Sequence, residues 1–117
     1  MKPATYNFTI LQGSTLNKIF TLKNEDGTTF SLTGYTAVMK ARQEVATAAA
    51  VIGSAGSPTN LTLTLTVLDG TITMAMTAAQ TAALDFSTAV WDMELTIGAN
   101  VQRWFQGIIT LSKEITR

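Results

Sequence analysis

Alternation of apolar and polar residues with a period of two is the feature that most restricts the fold of this chain. Between Ala89 and Arg117 the sequence reads AVWDMELTIGANVQRWFQGIITLSKEITR. Trp91, Met93, Leu95 and Ile97 alternate with Asp92, Glu94 and Thr96, which marks a strand with one buried and one wet face. After a Gly98-Ala99-Asn100 turn, Phe105, Gly107, Ile109 and Leu111 share one phase of a return strand. The rest of the chain reads as the material that covers this hairpin.

The same period recurs upstream. Tyr6, Phe8 and Ile10 make a first strand, and Gln12-Gly13-Ser14 breaks it as a turn. Leu16, Lys18, Phe20 and Leu22 form a second run, with Lys18 the odd member of its face. Asp26-Gly27 is a hairpin signal, because glycine accepts positive φ. Leu32-Thr33-Gly34 bends into a third strand over 35–42. Residues 43–60 read as one long connection with little fixed structure, although Glu44 to Ile52 could make two helical turns. Leu61, Leu63, Leu65 and Val67 then alternate with threonines, and Asp69-Gly70 turns that strand into Ile72, Met74 and Met76. Thr77-Ala78-Ala79-Gln80 has capping-box spacing and predicts a short helix through about Leu84.

Short strands with frequent turns and one small helix predict an all-β, immunoglobulin-like antiparallel β-sandwich. A length of 117 residues suits a single domain spanning 1–117. The abundant threonines fit a pleated, half-buried surface.

Composition narrows the chemistry. There is no cysteine and no histidine, which removes thiol nucleophiles, thiolate metal sites and the commonest general base. Eight basic residues balance eight acidic ones, without the basic excess usual for nucleic-acid binding. No apolar run is long enough to cross a bilayer, and residues 1–10 lack a signal-peptide core; synthesis in the cytoplasm is the expectation. Asp92 and Glu94 lie about 7 Å apart on one strand face, a spacing that acid–base pairs use, yet a solvated face accounts for them. Glu25, Asp26 and Asp69 sit in turns, where aspartate bonds its own backbone. With no nucleophile, phosphate-loop or metal motif, no enzyme, cofactor or metal is expected.

Interfaces are the better expectation. If Phe105, Ile109 and Leu111 face inward, Trp104 and Ile108 face outward, and Val38 is out of phase with Ala37 and Met39. Exposed apolar anchors of this kind suit a partner surface; a bulge at Gly107 that flips the phase and buries Trp104 is the alternative. Thr62, Thr64 and Thr66 line a face that reads as solvated, or as packed on a neighbouring subunit. The 46–57 segment, with Ala49, Val51 and Ile52, is too apolar for a solvated loop and too glycine-rich for a helix. It either orders against a neighbour or stays mobile.

Five stretches in order, YNFTILQG (6–13), FTLKNEDG (20–27), SLTGYTAVMKAR (31–42), DGTITMAMTAAQTAAL (69–84) and WDMELTIGANVQRWFQGIITLSKEITR (91–117), resemble a family of tailed-bacteriophage virion proteins. The order is similar to that in the N-terminal domain of phage baseplate upper protein, with its "DG" turn, "LTG" bend, "G-x-I-T" strand and "Y/W-D-x-E-L" strand. Lys113 stands where family members often have proline. The chain also stops at Arg117 where the baseplate protein continues, so anchoring would draw on partners. The resemblance implies a non-enzymatic virion component, made in the host cytoplasm, that docks on other virion structural proteins in a symmetric multi-copy assembly. A tail or baseplate part is the first expectation and a capsid-decorating (cement) protein the second. A module binding host glycans is the third; Trp104, on a strand rather than a loop tip, suits it less.

Overall fold

A computed structural model describes residues 4–44, 50–55 and 59–113. They form two facing sheets, with one short helix at the margin. The elements are β1 (Ala4–Thr5), β2 (Phe8–Leu11), β3 (Leu16–Thr21), β4 (Thr36–Arg42), β5 (Ala50–Gly53), β6 (Thr62–Thr66), β7 (Thr71–Met76), α1 (Ala78–Ala82), β8 (Thr88–Ile97) and β9 (Asn100–Ser112). The larger sheet runs β1-β9-β8-β4-β5, with β2 also on β9, and the smaller runs β3-β7-β6. An all-β sandwich with one helix is therefore the architecture.

Burial follows the alternation. Met39 and Ala41 from β4, Trp91, Met93 and Leu95 from β8, and Ile109 and Leu111 from β9 enter the core from the larger sheet. Leu16, Phe20, Ile72, Met74 and Met76 meet them from the smaller one. Thr62, Thr64 and Thr66 lie on the exposed side of β6.

The first strand joins the last in parallel. Ala4 pairs with Phe105 and Phe8 with Ile109, so β1 and β2 are one edge strand interrupted at Tyr6-Asn7. At the interruption the Trp91 indole N–H donates to the Tyr6 carbonyl (2.9 Å), and the Asn7 Oδ1 accepts from the Ile108 amide (2.8 Å). A side chain thus replaces the backbone acceptor, and the ladder continues beyond it. Gly107 makes the crossing possible, since a Cβ there would stand 2.0 Å from the Tyr6 oxygen.

Thr77 caps α1 in a reciprocal capping box, with its hydroxyl accepting from the Gln80 amide and the Gln80 side chain accepting from the Thr77 amide. Thr81, fully buried, ties the helix to the turn after β2. Its hydroxyl donates to the Ser14 carbonyl (2.8 Å) and accepts from the Gly13 amide (3.0 Å).

Two sequence expectations need correction. The 43–60 span is not wholly irregular, and its Ala50–Ile52 stretch is not helical: β5 pairs antiparallel with the edge of β4. Asn60 holds it there, accepting from the Gly53 amide and donating to the Val51 carbonyl, both at 3.0 Å. Asp26-Gly27 does turn the chain, but the turn is closed by a single Lys23–Thr29 bridge rather than two full strands.

Candidate docking site

Two adjacent rows of side chains cross the outer face of the larger sheet. Strand register sets Lys40 beside Asp92, Asp92 beside Gln106, and Gln106 beside Thr5. The next row runs Arg42, Val90, Ile108, with Asn7 on the flanking edge. Together with Arg103 and the Gly107 backbone they line a groove of about 430 Å³. Its floor is partly apolar, from Val90 and the half-exposed Ile108 (48%).

The groove carries three cations, Lys40, Arg42 and Arg103, against one carboxylate, Asp92. Arg103 Nε lies 3.4 Å from Asp92 Oδ2, and its Nη1 donates weakly to Gln106 Oε1 at 3.4 Å. Both side chains of that ion pair are substantially exposed, so it contributes at most about 1 kcal/mol. Lys40 has no carboxylate within ion-pair distance among the described residues. The Nε of Arg42 is buried without a hydrogen-bond partner, and leaving a buried donor unpaired costs about 1–3 kcal/mol. A carboxylate that drew the guanidinium round to pair through Nε and an Nη together would relieve that cost.

Arg103 reaches this face because of a bulge. Met93 pairs with Phe105, but Glu94 pairs with Arg103, so Trp104 is the extra residue of β9. Without the bulge, Arg103 would oppose Leu95 and point into the core. With it, Arg103 turns outward beside Asp92 and the Trp104 ring packs on Phe30, 4.8 Å between centroids.

The expected interface residues separate into groups. Ile108 and Val38 both lie on the outer face, Ile108 in the groove and Val38 half-buried opposite Glu94. The outward phase expected for Trp104 is corrected: the ring is half-buried against the core margin, and the bulge is at Trp104 itself rather than at Gly107. Ile52, opposite Ala41, is fully buried, and Val51, skipped by the β4 register, packs against the core. Ile52 is thus closed to a partner, whereas Val51 is partly exposed on the β5 edge. Ala49 lies outside the described residues.

Sequence reasoning missed Lys40, Arg42 and Arg103. The first two share the outward phase of Val38, so their face was readable; the place of Arg103 depended on the bulge. Asp92 and Glu94 do share the wet face, with Asp92 paired to Arg103. Among the described residues no cluster of three or more potential metal ligands occurs, and no helix is long and apolar enough to cross a membrane. Compared with protein-family models and with curated proteins, the sequence matches none.

Proposed function

We propose that the chain is a non-enzymatic assembly component of a tailed-phage virion, a tail or baseplate part with an immunoglobulin-like sandwich as its frame. It docks on other virion proteins through the outer face of the larger sheet. The observation that supports docking is the groove itself, where an apolar floor of Val90 and Ile108 is ringed by Lys40, Arg42 and Arg103. Apolar area supplies affinity and the charges fix orientation. The mechanism is passive, because strands hold both rows in register and nothing in the site must move except side chains. Placement in a virion rests on the resemblance of the five sequence stretches to phage virion proteins.

The test is gold-labelled antibody against the folded domain, viewed on intact phage particles by electron microscopy. Gold confined to the tail or its tip is the expected result. Gold over the head would replace the tail reading with capsid decoration. Particles without gold, both intact and after mild disruption that exposes covered epitopes, would overturn the virion reading.

A further inference from the structure

The charges of this neutral chain are segregated. Opposite to the cationic groove in sign is one end of the smaller sheet, where β3 finishes and β7 begins, with Thr21 paired to Thr71. Two turns project there, Asn24–Gly27 and Val67–Gly70, and between them they carry Glu25, Asp26 and Asp69, with Lys23 just before the first turn as the one cation at this end among the described residues. The carboxylates of Glu25 and Asp69 make no ion pair among the described residues. Asp26 is committed locally: it accepts from the Thr28 hydroxyl at 2.6 Å and from the Thr28 amide, and the hydroxyl bond holds its pKa below the ordinary aspartate value.

The Val67–Gly70 turn also holds Leu68, the most exposed large apolar side chain described, at 87%. A bare leucine next to an unpaired aspartate has the chemistry that the groove lacks. The turn is also rigid. Gly70 sits at φ 65° under the carbonyls of Leu22 and Phe30, where a Cβ would come within 2.6 Å of the Phe30 oxygen. Its own carbonyl accepts from the Leu22 amide at 2.8 Å.

We infer that the groove receives the Val67–Gly70 turn of a second copy of this chain, with Leu68 against Val90 and Ile108 and Asp69 between Lys40 and Arg42. This inference rests on the multi-copy assembly reading and names its partner. Two charges in excess of one sign meet two in excess of the other, since the groove is three against one and the turn end one against three. Glu94 lies opposite Arg103 on the same face and Glu44 follows Arg42, both outside the groove lining. They shorten the reach of the positive field, so the attraction acts at contact rather than at long range. Groove and turn are different surfaces of one molecule. The contact is therefore heterologous, head to tail, and it closes into a ring or continues as a filament.

The experiment is sedimentation velocity on the full purified chain, from about 10 μM to about 1 mM, a range that spans micromolar to millimolar Kd. The wild-type chain is expected to grow in mass with concentration. Asp69→Lys and Arg42→Glu should each weaken association by at least about tenfold, the effect of losing an interface anchor; Leu68→Ser should do the same without altering a charge. Circular dichroism melting verifies that each variant is folded. Mixing Asp69→Lys, whose groove is intact, with Arg42→Glu, whose turn is intact, supplies one wild-type groove for one wild-type turn and should restore association that neither variant shows alone. A chain that stays monomeric throughout overturns the inference, as does association indifferent to all three substitutions or a mixture that fails to pair. None of these outcomes bears on gold at the tail, so the virion reading stands or falls separately.

Discussion

Gly107→Ala is expected to destabilise the fold by about 3 kcal/mol. The added Cβ would lie 2.0 Å from the Tyr6 carbonyl oxygen, 2.7 Å from its carbon and 2.8 Å from the Asn7 Oδ1. Two of these are backbone atoms and cannot swing away, so the edge strand must retreat by more than about 1 Å to reach van der Waals distance. That retreat breaks or stretches three hydrogen bonds: Tyr6 N to Gln106 O (2.8 Å), the Trp91 indole to Tyr6 O (2.9 Å) and Ile108 N to Asn7 Oδ1 (2.8 Å). Two at about 1 kcal/mol each, plus about 1–3 kcal/mol for a Trp91 N–H left unpaired in the core, give about 3–5 kcal/mol. Relief of glycine's backbone entropy returns about 0.5–1 kcal/mol. The net loss is a large part of the about 5–15 kcal/mol that holds a typical domain. Urea unfolding with an unchanged m-value measures it. Hydrogen exchange should show the loss first at the Tyr6 and Ile108 amides. Trp91→Phe, which removes the same indole bond, should be less costly in the Gly107→Ala background than in the wild type. A Gly107→Ala protein within about 0.5 kcal/mol of wild type would refute the account of the strand crossing.

Two further substitutions test the packing. Trp104→Ala should cost about 2 kcal/mol, roughly half the penalty for a fully buried tryptophan, and a double-mutant cycle with Phe30→Ala should show about 0.5–1.5 kcal/mol of coupling from the ring pair; additive denaturation midpoints would place the ring elsewhere. Thr81→Val keeps the shape but strands the Gly13 amide and the Ser14 carbonyl, so the unfolding free energy from urea titration should fall by about 1–3 kcal/mol, whereas Thr81→Ser retains the hydroxyl and most of the stability.

What sequence made legible was whatever is decided within one element. The inward phase of Met39 and Ala41, the turn at Asp69-Gly70 and the capping box at Thr77 all depend on residues a few positions apart. The strand β5 was not legible in that way. It has four residues, Val51 is skipped by its pairing, and its partners are the β4 edge and the Asn60 side chain. Its conformation is a tertiary decision, which propensity cannot supply. The phase of β9 failed for a related reason: alternation assumes unbroken pairing, and one extra residue reverses every side chain beyond it. Ile108, on the near side of the bulge, kept its expected face. Trp104 did not, and the same shift carried Arg103 to the outer face.

That same residue ties stability to docking. Register within β8 and β9 decides whether residue 103 enters the core or joins Asp92 outside, and the Trp104–Phe30 contact is what gives the extra residue of the bulge a place to pack. Both halves of the inferred contact are fixed before they meet: the groove rows by strand pairing, the Leu68-Asp69 turn by the buried approach of Gly70. Little ordering entropy is then lost on association, and a contact too weak to matter between two molecules suffices when each copy in a ring makes it twice. Loosening the bulge would free Arg103 and blur the row that holds Asp92 and Gln106, the two side chains Arg103 contacts. Trp104→Ala should accordingly weaken self-association as well as stability, acting through the register of β9 with no contact between Trp104 and the neighbouring copy.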